Sequence, residues 1–185
     1  MDVTNREQTY LQALQNGDES AFEALYIRHY SNLIYFVQSY IPGIGDEARD
    51  IIADVFSHLW SNRHQITLQG SLKAYLYTSV RNKAVDYMRK HRIKHVALTD
   101  QVYDIPLQGG STPEGTLMYK QTDAHIASLI ERLPPQAKLI FKMNRDEGLT
   151  YEEVAQILGL SVNSVKTHMY RALKFIKEEF AAYSK

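Results

Sequence analysis

The chain has no cysteine among its 185 residues. That excludes disulfides, cysteine-ligated zinc and thiol catalysis together, and it fits a reducing compartment. Long apolar runs are missing as well. The longest, about Leu33 to Val37, falls far short of the roughly 20 residues a membrane helix needs, so no membrane insertion is expected. The opening residues, MDVTNREQTY, are polar and mixed in charge, which predicts no signal peptide and a cytoplasmic protein. Net charge is absent too, since 21 basic residues balance 21 acidic ones. A free-standing DNA binder is usually more basic than that. No His-Glu-x-x-His pattern, phosphate-binding loop or cofactor box occurs, so neither an enzyme nor a cofactor is expected.

What is present is a hydrophobic fraction of 44%, enough for real cores, and a segregated charge pattern. Arg81, Lys83, Arg89, Lys90, Arg92 and Lys94 crowd one stretch against Asp86 alone. Asp46, Glu47, Asp50 and Asp54 crowd another against Arg49 alone. Separate basic and acidic surfaces point to at least two macromolecular partners of opposite charge. Acidic residues at a helix start are also what the macrodipole favours, so the acidic cluster taken alone has an equally good local explanation.

Period and breakers predict an all-α chain: two small helical domains joined by a flexible linker, over residues 1–95, 96–116 and 117–185. After a polar lead, Asp18 caps a helix to about Tyr40, with Phe22, Leu25, Tyr26, Leu33, Phe36 and Val37 as its apolar side. Pro42, Gly43 and Gly45 end it. A second helix from Asp46 to about Trp60 carries Ile51, Ile52, Val55, Phe56, Leu59 and Trp60 on an apolar stripe. A polar loop follows from Ser61 to Gly70. A long helix from Ser71 past Arg89 then buries Leu72, Leu76, Val80, Ala84 and Met88, leaving Lys73, Tyr77, Arg81, Asn82, Asp86, Arg89 and Lys90 on its polar sides. Rings beside cations suit unstacked nucleotides, although each tyrosine fits a core equally well. The segment VALTDQVYDIPLQGGSTPEGT lacks helical period and reads as the linker. Helices resume near Leu117 and again near Pro135.

The C-terminal domain holds the most informative stretch, LTYEEVAQILGLSVNSVKTHMYRALKFIKEEF. Thr150 and Glu153 form a capping box. Gly159 sits where a helix end wants positive φ, and Ser161 can cap the next helix. Val162, Val165, Met169, Ala172 and Ile176 make an apolar seam, with Asn163, Lys166, Thr167, Tyr170, Arg171 and Lys174 mostly facing away. That is the pattern of a DNA-reading helix-turn-helix. A merely solvated helical hairpin would carry mixed Glu and Lys on its outer face. This one carries amide, hydroxyl and cation, which suit base edges and phosphates.

Three stretches in this order resemble the extracytoplasmic-function subfamily of sigma-70-type RNA polymerase sigma factors. AFEALYIRHY with DEARDIIADVFSHLW resembles the family's clamp-docking helix, LKAYLYTSVRNKAVDYMRK its −10 promoter helix, and LPPQAKLIFKMNRDEG with the helix-turn-helix its −35-reading domain. The resemblance implies docking on the clamp of the polymerase β′ subunit through Asp50, Ile52, Asp54, Val55, Phe56 and Trp60. It implies that Lys73, Tyr77, Arg81, Asn82, Arg89 and Lys90 hold the −10 element, with the Arg63 to Gly70 loop pocketing an extruded base. Asn163, Ser164, Lys166 and Thr167 would face −35 base edges, with His168 and Tyr170 beside them and Arg171 and Lys174 on phosphates. RNA polymerase core, promoter DNA and an anti-sigma factor are the implied partners. The implied chemistry is strand capture, with no catalytic residue and no metal.

Two other readings compete. SVNSVKTHMYRALKF also resembles the helix-turn-helix of response-regulator-type transcription regulators, but these carry an α/β receiver, and this N-terminal half reads helical throughout. A metal enzyme is the other. His91 and His95 stand one helical turn apart, yet Arg89, Lys90, Arg92 and Lys94 around them oppose a bound cation.

Overall fold

The computed structural model describes residues 3–41, 43–68, 70–93 and 120–183. It divides into two compact units, Met1–Ala97 and Leu98–Lys185. Among the described residues there are α-helices and one 3-10 turn, and no strand. None of these helices is long and apolar enough to cross a membrane. The expected linker, 96–116, lies outside the described residues, as do Lys94 and His95.

The first unit comprises α1 (Val3–Gln15), α2 (Glu19–Tyr40), α3 (Glu47–Ser61), a 3-10 turn (Arg63–Gln65) and α4 (Leu72–Lys90). Asp18 caps α2, accepting from the Ser20 and Ala21 N–H groups, and Ser71 caps α4 by accepting from Ala74. α2, α3 and α4 pack pairwise, and an aromatic chain seals their core. Phe22 meets Phe56 edge-on at 5.9 Å and Trp60 at 4.9 Å, Tyr26 meets Phe56 at 4.8 Å, and Phe36 meets Tyr77 edge-on at 5.2 Å. Such edge-to-face pairs add to the large area that aromatic rings bury. The polar lead is a correction: it folds as α1, with Leu14 buried where α1 packs on α2. Its few apolar residues sufficed because a neighbouring helix supplies the surface they cover.

The second unit comprises α5 (Lys120–Glu131), α6 (Pro135–Arg145), α7 (Tyr151–Leu158) and α8 (Val162–Tyr183). Pro135 opens α6 at the position where a missing N–H costs nothing. α8 is the hub, packed by α5, α6 and α7. Val165, Met169, Ala172 and Phe175 fill that contact, each large apolar side chain being worth about 1.5–3 kcal/mol when fully buried. Phe175 belongs to the seam in place of the half-buried Ile176.

A histidine lies inside the first unit. His29 is buried on α2, and burial, with the Lys73 and Arg28 cations adding to it, lowers its pKa from 6.5 to about 4. Because the native state prefers the neutral ring, the unfolded chain takes up a proton first as the pH drops below 6.5. Stability that is full above that pH is therefore lost toward pH 4, by up to about 3 kcal/mol. Urea unfolding followed by the fluorescence of Trp60, the chain's one tryptophan, should show this loss, and His29→Gln should flatten it.

Candidate nucleic-acid interface

Helix α7 and the turn that leads from it into α8 are fixed by short-range chemistry. The Thr150 hydroxyl accepts from the Glu153 N–H at 3.1 Å while the Glu153 carboxylate accepts from the Thr150 N–H at 2.9 Å. Gly159 ends α7 at φ +70°, a left-handed conformation that glycine takes without a Cβ penalty. The Ser161 hydroxyl accepts from the Ser164 N–H at 3.1 Å and starts α8. Gly159 and the Ser161 cap thus set the angle between α7 and α8.

That angle decides which face of α8 is outward. Asn163, Lys166, Tyr170 and Lys174 are exposed on one side, with Thr167 and Arg171 half-buried at its borders. Tyr170 is 67% exposed, far more than a large ring in a finished fold usually is. The Thr167 hydroxyl donates to the Asn163 carbonyl at 2.8 Å, so outward it offers lone pairs. Lys177 shares this face about three turns beyond Lys166. Sequence reasoning missed it, although its spacing from Lys166 and Lys174 was a usable signal.

Ser164 and His168 need correction. Both are buried, at 5% and 6% exposure, on the face turned to the unit's own helices. His168 Nε2 lies 3.3 Å from Gln136 Nε2 of α6. Their side chains therefore pack inside the unit rather than on the outward face of α8.

On α4, Asn82, Arg89 and Lys90 are exposed, while Lys73 and Arg81 are half-buried. Arg81 and Arg89 flank one open groove of about 350 Å³ floored by Tyr40, Val85, Met88 and Ile93. Arg89 is paired with Asp86 at 2.9 Å on the open surface, where such pairs are worth about 0–1 kcal/mol and exchange readily. Tyr77 is a correction: at 2% exposure it is a core residue packed on Phe36. Its four-residue spacing from Lys73 and Arg81 suggested a shared polar side, but α2 covers that part of the helix.

On α3 the acidic and apolar residues separate completely. Asp50 and Asp54 are exposed and Trp60 is half-buried. Ile52, Val55 and Phe56 are buried in the unit's own core, so they do not form an outward docking stripe. Asp54 reaches across to Lys83 of α4 at 3.3 Å. His91 stacks on Tyr87 at 4.3 Å, and among the described residues no group of histidines and carboxylates is placed to hold a metal.

An outward amide-and-cation helix on a helix-turn-helix in one unit, and a basic helix face in the other, define a DNA-binding protein. Comparison with known proteins is more specific. The family model for sigma-70 region 2 matches residues 25–93, and that for sigma-70 region 4 matches residues 125–176. The chain is 30% identical over 132 residues to RNA polymerase sigma factor SigV of Bacillus subtilis (strain 168), covering 71% of this chain and 75% of that one. It is 24% identical over 177 residues to the ECF RNA polymerase sigma-E factor of Escherichia coli (strain K12), covering 92% of each. In fold it is similar to CnrH, solved in complex with the cytosolic domain of CnrY, at a TM-score of 0.52 and 21% identity over 95% of this chain and 97% of that one. The sigma factor RpoE of Bartonella quintana, solved with the anti-sigma factor NepR, gives a TM-score of 0.50 and 22% identity over 86% and 96%. The chain belongs to the extracytoplasmic-function subfamily of sigma-70 RNA polymerase sigma factors. It is thus a specificity subunit that directs RNA polymerase in transcription initiation, and the response-regulator reading falls.

The corrected faces separate stability from DNA contact. Tyr170→Ala should leave the unfolding free energy within about 0.5 kcal/mol while weakening binding to promoter duplex. His168→Ala should do the reverse, costing about 1–3 kcal/mol of stability. Thermal unfolding and fluorescence anisotropy on the same two variants check both halves.

Proposed function

We propose that the two units make two different grips on a promoter while the first also docks on core polymerase. In the second unit the outward face of α8 reads the −35 element as duplex. Asn163 and Thr167 address base edges, Tyr170 offers a ring to thymine methyls, and Lys166, Arg171, Lys174 and Lys177 lie along phosphates. In the first unit Asn82, Arg89, Lys90 and Arg81 of α4, with Lys73, hold the opened −10 strand, and the turn after α3 takes an extruded base. Flipping a base costs a few kcal/mol, offset by stacking and pocket contacts. Asp50, Asp54 and Trp60 are the part of α3 left to meet the polymerase clamp, an acidic edge complementing a basic surface. The reading places the chain in the bacterial cytoplasm, with the polymerase. Likeness to RpoE, solved with its anti-sigma factor, supports regulation by a protein of that kind. The observation that carries the reading most is the outward face of α8, polar and basic apart from the exposed Tyr170 and Leu173 and free of carboxylates as far as Lys177.

Two variants test the division of labour on one promoter. With holoenzyme, Lys166→Ala should weaken −35 duplex binding and reduce the slope of log affinity against log salt by about one. Replacing Arg81, Arg89 and Lys90 together with Ala should leave core binding intact but reduce permanganate reactivity of the −10 thymines. An unchanged salt slope removes Lys166 from the phosphates. Unchanged opening removes α4 from the −10 grip.

A further inference from the structure

The corner between α1 and α2 is tied to the turn after α3 by contacts that neither promoter grip accounts for. Gln15, the last residue of α1, donates from Nε2 to the Ile66 carbonyl at 3.2 Å across a separation of 51 residues. Ile66 itself is buried. Arg63, on the 3-10 turn, donates from Nη1 to the Trp60 carbonyl at 2.7 Å, and its guanidinium lies 4.4 Å over the Trp60 ring. The same guanidinium rests against the corner: Gly17 sits at φ +81°, and a β-carbon there would be 3.7 Å from Arg63 Nε and 3.8 Å from Nη2. Nε is buried without a hydrogen-bond partner, so packing and the cation–π contact hold that side of the group.

These contacts act where the backbone needs help. The Gln65 N–H closes the 3-10 turn on the Asn62 carbonyl at 2.9 Å, and Ser71 caps α4. Between those two points Gln15 reaches in from another helix and fixes the carbonyl of Ile66. Freezing a glutamine and an arginine costs side-chain entropy, and what is ordered in return is a turn whose His64, Gln65 and Thr67 are all exposed. A turn that must receive a flipped base binds it better when already ordered.

We infer that α1 is a brace for strand capture, with Gln15 and Arg63 as positioning residues that hold the turn from Arg63 to Thr67 in its receiving shape. The inference rests on the reading of that turn as part of the −10 grip. Gln15 touches no DNA; it acts through the Ile66 carbonyl.

The test uses holoenzyme and three probes: a single-stranded oligonucleotide covering the −10 region of a promoter transcribed in run-off assays, the matching −35 duplex, and core polymerase. Gln15→Glu keeps the size and loses the donor, whereas Gln15→Lys keeps a donor. Gln15→Glu should weaken single-strand binding about fivefold, the worth of one net hydrogen bond, with core and −35 affinities unchanged. Gln15→Lys should bind like the parent. The brace is overturned by parent-like strand binding in Gln15→Glu, by an equal loss on all three probes, or by a Gln15→Lys variant as weak as Gln15→Glu. Replacing His64, Gln65 and Thr67 together with Ala separates the two ideas. If this variant also captures the strand normally, the reading of the turn fails; if it loses the strand while Gln15→Glu does not, the brace alone fails.

Discussion

Apart from α1, the helices described in this chain each have an apolar face, and the helix's own small unit buries it. That constraint governs the rest. A unit of under a hundred residues has little interior to spare, so Ile52, Val55, Phe56 and Tyr77 go to the core of the first, and Val165, Met169, Ala172 and Phe175 to that of the second. Whatever remains outward is what a partner can meet. On α3 that is Asp50 and Asp54, on α4 Asn82, Arg89 and Lys90, and on α8 Asn163, Lys166, Tyr170 and Lys174. The three surviving faces differ in charge and hydrogen-bonding character, and in the proposed reading this difference lets one short chain address a protein and two forms of DNA.

The elements were largely legible because their signals are local. Asp18, Ser71, Thr150 and Gly159 act within a turn or two of themselves, and each does in three dimensions what its type suggests. The site was legible only where local period decides exposure. Ser164 and His168 are polar, so composition put them outward, but the side of α8 they occupy is set by α6, which no local signal reveals. Tyr77 failed for the same reason from across the bundle, through Phe36. Helix α1 was missed because Leu14 gains its burial from a neighbour, and the Gln15–Ile66 bond joins residues too distant for any sequence pattern to show.

The zero net charge is consistent with this division. Phosphate contacts supply much of the affinity of a lone DNA binder and make it strongly salt-dependent. A subunit that acts as part of a polymerase shares that electrostatic attraction with a larger body, so it needs cations only where register is set. In the proposed reading the exposed basic residues of α4 and α8 do that, and the acidic edge of α3 balances them with a surface suited to a basic partner.

The central claim, that the outward faces of α8 and α4 meet different forms of the same promoter, is most directly tested by placing a photo-crosslinking side chain at Tyr170 or at Asn82 in holoenzyme. In an open complex, position 170 should cross-link to the −35 duplex and position 82 to the unpaired non-template strand at −10, with the latter signal absent before opening. Cross-links from both positions to the same segment, or from position 82 to closed duplex alone, would contradict it.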